Sequence, residues 1–354
     1  MLGTNGGRIH GDYEVTERMR ELTAIENEKM NYNNYIYGLL ALLLLTIPNF
    51  SSAAGPTEES GVISADKTWK LSNSPYIIKG NVNVGNGVTL TIEAGVTVKF
   101  DGDSNLVIDG TLIAQGTADN LITFTSNQTF KSAGNWGEIQ FRQTSTNCLL
   151  EYAVIEYGHN GIHCNQASPL ISNCTVQQHS NYGIYSESES DSQSNGPIIQ
   201  ASSIIDNGSS GIYCTRSDLL VEDSTISNNQ GYNGGISAYL QWTDDKIAIR
   251  RNTIANNVNH GIRVWGYSQS DNGPQIEITG NVVTENQAEM SLDAIWSSEG
   301  QFRWEGYVEG GITVYPNRSR YNWQVSINKN IISKHPNGVG LFSRNWSQLE
   351  SIAN

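Results

Sequence analysis

The chain has 354 residues and a formal charge of −14, of which residues 1–54 carry only four basic and six acidic side chains. A surface of that sign repels phosphate backbones, which argues against nucleic acid as a partner. Thirty-five glycines against eight prolines, with frequent Asn and Ser, suit short strands joined by tight turns better than helices.

In chain order, residues 1–29 are a polar N-terminal extension ahead of Met30, a second candidate start. The apolar run from Tyr35 to Ile47 is short for a bilayer span, and it is followed by Pro48 and by Ser52-Ala53-Ala54 before Gly55. That pattern predicts a secretory signal peptide over 30–54, with a retained signal anchor as the alternative. A signal implies a secreted or cell-surface protein with no stable membrane span after cleavage. Residues 55–74 read as a linker.

Strand-like runs begin at Tyr76-Ile77-Ile78 and Val82-Asn83-Val84. They continue through Val88–Ile92, Val96–Phe100, Leu106–Ile108, Leu112–Ala114 and Ile122–Phe124, with Gly85-Asn86-Gly87, Ala94-Gly95 and Asp109-Gly110 between them. From residue 160 the chain repeats itself. Gly followed by a branched apolar residue recurs at Gly161, Gly183, Gly211, Gly235, Gly261, Gly311 and Gly340, with gaps of 22, 28, 24, 26, 50 and 29. The 50-residue gap reads as two units. Upstream of the glycines a second phrase returns, as in Ser202–Asn207, Ser224–Asn229, Asn252–Asn257 and Asn281–Asn286. A period of 20–30 residues means a solenoid. Each unit holds short β-branched runs and no 3.6-residue period, which predicts an all-β, single-stranded parallel β-helix over 75–350. Glycine before Ile suits a positive φ or a close backbone approach, and the recurrent Asn suits a stacked amide ladder.

The wording "VTLTIEAGVTVKF…LVIDGTLIAQGTADNLITFTS", followed by "GNWGEIQF" and "LEYAVIEYGHNGI", resembles the secreted right-handed parallel β-helix repeat proteins of the pectin-lyase-like superfamily. The resemblance covers roughly residues 75–345. It implies the fold and says little about activity. Enzymes of that superfamily use a Ca²⁺ carboxylate cluster with a basic residue, or paired aspartates beside a Gly-His-Gly. Neither arrangement is present in the sequence.

Of the four cysteines, Cys148, Cys164, Cys174 and Cys214, Cys174 falls at a small inward position equivalent to Ala153. Cys164 and Cys214 share one position two rungs apart, ~9.6 Å at the strand spacing and beyond the ~7 Å limit for a bridge. Buried free thiols are the expectation, with Cys148–Cys174 or Cys164–Cys174 pairing as the alternative. The histidines His159, His163, His179 and His260 lie at −2, +2, −4 and −1 from their Gly, so they share no column and read as surface or turn residues. Asp244, Asp245 and Asp218 form the acidic group nearest to a catalytic set, with Ca²⁺ as a candidate ion. Adjacent strand residues point to opposite faces, which weakens it. Aromatics concentrate further on, at Trp265, Trp296, Trp304, Tyr307 and Trp323, around an insertion near 287–310. Rings beside cationic groups can stack on sugars or meet a partner protein. The sequence therefore favours a non-catalytic surface protein that binds a polysaccharide or a neighbouring surface protein through these rings, with no cofactor. A polysaccharide lyase or glycoside hydrolase acting on an acidic polysaccharide is the alternative.

Overall fold

A computed structural model describes residues 9–45, 55–188, 195–241, 245–267, 274–286, 291–296, 302–307, 310–316, 324–333, 339–343 and 349–353. The chain divides into two units, Met1–Ala53 and Ala54–Asn354. In the first, a single helix runs over Ile9–Leu45. Among the described residues no helix is long and apolar enough to cross a membrane.

The second unit is a coil of three strands per turn. Ile198–Gln200, Ser203–Ile205 and Ile212–Thr215 make one turn, and Leu219–Glu222, Thr225–Ser227 and Ile236–Gln241 make the next. Successive turns pair in parallel register, as in Ile199↔Val221, Ile204↔Ile226 and Ile212↔Ile236. Three long faces result, here called first, second and third in that chain order. The coil begins earlier than the sequence reading places it: Thr57–Ile63 pairs with Tyr76–Val84, and Lys67–Trp69 with Thr89–Ile92. Residues 55–74 are therefore coil and not linker. Their strand pattern is hard to read because this terminal strand leaves Glu58 and Glu59 outside the core and buries only Ile63.

The bends explain the repeated phrases. Between first and second faces, Ala201, Asp223, Arg251 and Lys329 take positive φ, and each is followed by a buried Ser or Asn. Between second and third faces the positive φ falls on Asp206, Asn228, Asn256 and Glu285. Asn207, Asn229, Asn257 and Asn286 follow and form the expected ladder, each Nδ2 donating to the next Oδ1 at 2.9, 2.8 and 3.0 Å. The same oxygens accept the main-chain N–H one turn below, so the bend leaves no orphaned donor there. A second ladder, Asn252–Asn281–Asn330, runs up the other bend. The ladder also explains Gly-Ile. A Cβ on Gly211 would lie 2.7 Å from Asn229 Nδ2, and one on Gly235 2.8 Å from Asn257 Nδ2. Close approach, not positive φ, selects these glycines.

The 50-residue gap is one turn, not two. His260–Tyr267 pairs directly with Gly310–Pro316, placing Ile262 opposite Ile312. The added length includes an antiparallel hairpin of Ser291–Trp296 with Phe302–Tyr307, which forms its own two-stranded sheet.

Inside the coil, side chains stack by type. Ile162, Ile184, Ile212, Ile236, Ile262 and Ile312 form one fully buried column. Cys164, Ser186, Cys214 and Ala238 form another, in the register the Gly spacing implies. All four cysteines are free and buried, and burial pushes the Cys174 thiol up to about 12. Near the N-terminal end aromatic pairs replace aliphatic stacks: Trp69 on Tyr76 and Phe100 on Trp136, with centroids 5.0 and 3.9 Å apart.

Candidate functional site

The outward positions of the third face gather the chain's most distinctive chemistry. Two residues after each Gly of Gly-Ile, the outward column reads His163, Tyr185, Tyr213, Ser237 and Arg263. Two residues further on it reads Asn165, Glu187, Thr215, Tyr239 and Trp265. Because rungs stack at ~4.8 Å, side chains in one column meet as neighbours. His163 stacks on Tyr185 at 4.8 Å, Tyr185 lies 5.8 Å from Tyr213, and Tyr182 packs against both at 5.4 and 5.0 Å. Ser237 interrupts the ring column, and Trp265 leans into that interval, 6.2 Å from Tyr213 and 5.6 Å from Tyr239. The Arg263 guanidinium lies 4.2 Å over the Trp265 ring. Tyr182, Tyr185, Tyr213, Tyr239 and Trp265 all keep part of their surface in solvent.

At the N-terminal end of this stripe sits a charged trio. His163 Nδ1 lies 2.7 Å from a Glu138 carboxylate oxygen, and Nε2 lies 3.0 Å from Glu187. Tyr185 donates its hydroxyl to Glu187 at 2.6 Å, and Asn160 donates to Glu138 at 2.7 Å. Burial by itself would lower the imidazole pKa, but the two carboxylates outweigh it and raise it to about 9. The His163 hydrogen bond is the main influence on Glu187 and holds its carboxyl below the ordinary range. Burial works against ionisation of Glu138, yet His163 and Asn160 prevail and lower its pKa too. The trio thus exists at neutral pH as a cation between two anions, clipping three successive turns together.

Three histidines are buried and not the surface residues the sequence suggests, although His179 does sit at a bend. His163 is the buried centre of the trio. His179 occupies the ladder position below Asn207, with Nδ1 accepting from Gly158 N–H and Nε2 donating to the Ile155 carbonyl. Burial drives its pKa down to about 4, so it is neutral. His260 is also buried, with its pKa lowered to about 3 by burial and by Arg263. Only His159 of the four is exposed.

The residues proposed from sequence fare unevenly. Trp265 lies at the C-terminal end of the aromatic stripe. Trp296, Trp304 and Tyr307 belong to the hairpin, where Trp296 pairs with Phe302, Ala294 with Trp304 and Ser291 with Tyr307. Trp323 and Asp244 lie outside the described residues. Asp218 is partly accessible on the first face, accepting from Lys246 N–H at 2.7 Å, and burial raises its pKa. Asp245 is fully buried. The two carboxylates thus differ in setting, Asp218 reaching the surface beside Lys246 and Asp245 facing the interior. Among the described residues, no three His, Cys, Asp or Glu side chains gather into a group able to hold a metal ion. Tyr182, Tyr185, Tyr213 and the His163 trio escape the sequence reading. Their signal is the shared +2 offset of His163, Tyr185, Tyr213 and Arg263, visible only when different residue types are compared in one column.

The comparisons agree with this architecture. Residues 160–352 match the model of the right handed beta helix region, and residues 61–165 match that of the pectate-lyase like beta helix domain. The Drosophila melanogaster "Protein bark beetle" is 38% identical over 80 residues. That match covers 22% of this chain and 3% of the fly protein's length. No solved structure matches the chain. With three parallel strands per turn, buried ladders at the bends and a family model spanning more than half its length, the chain belongs to the right-handed β-helix family.

Proposed function

We propose that this is an extracellular β-helix protein that binds a polysaccharide on its third face without cleaving it. The observation that carries this reading is the run of partly exposed rings from Tyr182 to Trp265 on one rigid, ladder-braced face. Aromatic rings supply apolar area for the C–H faces of sugars, and the tyrosine hydroxyls supply hydrogen bonds at their edges. The buried guanidinium of Arg263 packs over Trp265 and backs that ring from within the face. Parallel strands on a braced coil hold these groups at fixed spacing, so little order is lost on binding. A glycan array followed by titration with Trp265→Ala and Tyr213→Ala tests the reading. Each variant should weaken binding by about tenfold, at the ~1–1.5 kcal/mol scale of a lost ring contact. Unchanged binding in both variants would sink it.

A second reading, a polysaccharide lyase or glycoside hydrolase, draws support from Glu138 and Glu187 beside the rings. Both carboxylates are held by His163, which leaves neither in the raised-pKa state that a general acid requires. Incubation with uronate polymers and Ca²⁺, monitored by ultraviolet absorbance for unsaturated products and by reducing-end release, separates the two readings. Turnover that Glu187→Gln abolishes would favour the enzyme.

A further inference from the structure

The first face carries a feature that neither the aromatic site nor the coil requires. Its central outward column reads Ile113, Leu149, Leu170, Ile198, Leu220 and Ala248 over six consecutive turns in unbroken register. All six are partly accessible, and Ile198 is 36% exposed. The corresponding outward column of the second face, in the same six turns, reads Thr123, Val154, Thr175, Ser203, Thr225 and Thr253. Both columns sit on short parallel strands of one coil, so strand propensity alone does not make one aliphatic and the other mainly hydroxylated. Six rungs at ~4.8 Å give an aliphatic row ~24 Å long. Toward its C-terminal end it enters a groove of about 670 Å³ lined in part by Ile198, Leu220, Asp218, Lys246 and the Arg250–Glu277 ion pair. Contiguous apolar surface on this scale marks an interaction site.

The flanking chemistry selects the occupant. Branched aliphatic side chains offer no flat ring for a sugar, and they fit the aliphatic side chains of a polypeptide. From the Leu149 rung to the Leu220 rung, the outward positions bordering the row include Glu151, Asp218 and Glu222, with Arg251 reaching Glu222 from the neighbouring bend. Lys246 and Arg250 enter only at the Ala248 rung. A second copy docked by a two-fold axis across the middle of the row would set Glu151 against Glu222, where like charges repel. A partner with Lys or Arg beside its aliphatic row meets opposite charge instead. We infer that the first face docks a basic amphipathic polypeptide segment along the coil axis, independently of the aromatic face.

Fluorescence anisotropy with the full chain tests this. The probe is a labelled synthetic peptide with a leucine row flanked by lysines; its scrambled and glutamate-flanked versions are the controls. The lysine-flanked peptide should bind, and both controls should bind about tenfold more weakly or not at all. The triple variant L170T/I198T/L220T, which copies the chemistry of the second face, should lose about tenfold or more in affinity with its circular dichroism unchanged. The single variant Ile198→Thr should move in the same direction if the triple variant does not fold. Trp265→Ala should leave peptide binding intact. Equal binding of the scrambled peptide, or no effect of the threonine substitutions, would overturn the proposal. So would a dimer in sedimentation that L170T/I198T/L220T abolishes, since the occupant would then be a second copy.

Discussion

His163 shows how a single residue's role depends on partners far away in sequence. Glu138 lies 25 positions before it and Glu187 24 after, yet one turn of coil in each direction brings both into contact. Its pKa in the fold, about 9, stands above the ordinary 6.5. The trio therefore contributes fully below pH 6.5 and loses that contribution as pH rises through about 9. Glu138 and Glu187 have lowered pKa values, so on the acid side the trio weakens only as pH falls through the carboxylate range. The offset on His163 is on the order of 3 kcal/mol of linked stability. Denaturant midpoints measured from pH 6 to pH 10 should fall more steeply for the native chain than for His163→Gln. Parallel curves for the two proteins would remove the trio from the stability account.

At the scale of elements, the hairpin is an addition to a turn that closes without it. Neither of its strands pairs with the coil, and Ile262 meets Ile312 directly across the gap. In an uninterrupted turn the ladder Asn207 leads to Gly211 through Gly208-Ser209-Ser210 alone. Replacing residues 287–310 by Gly-Ser-Ser should keep the coil folded, with a shift in Tm of no more than a few degrees. Calorimetry would check this, and loss of the cooperative transition would show that the hairpin is part of the core. If Trp296, Trp304 or Tyr307 contribute to glycan binding, the shortened chain will bind more weakly with stability unchanged. The insertion was legible in the sequence as a break in rhythm. That it leaves the number of turns unchanged was not, because the Gly-Ile spacing measures chain length and not rise along the axis.

For the molecule as a whole, stability is a sum of stacked turns. Each rung buries its Ile, Val or Leu against the rungs on either side, and each buried aliphatic contributes about 1.5–3 kcal/mol. The unit Ala54–Asn354 contains this entire core. A chain starting at Ala54 should therefore show the same far-ultraviolet β signature and a Tm within a few degrees of the full chain. A collapse of the transition in that chain would make the helix Ile9–Leu45 part of the cooperative unit. The early turns were harder to read from sequence than the later ones because aromatic pairs such as Phe100 and Trp136 replace the aliphatic columns and break the repeated wording.

The sequence by itself determined the solenoid, its parallel strands, the inward cysteines and the asparagine ladder. These follow from local period, and a residue repeated every turn must stack on itself. Only the tertiary structure decided which different residues share a column. It set Glu138 and Glu187 on either side of His163 and lined Ile113 up with Ala248 through four intervening turns. The physical reason is that unequal loop lengths shift each rung's position in sequence while hydrogen-bonded register restores it in space, so unlike residues become neighbours without any common phrase to announce it.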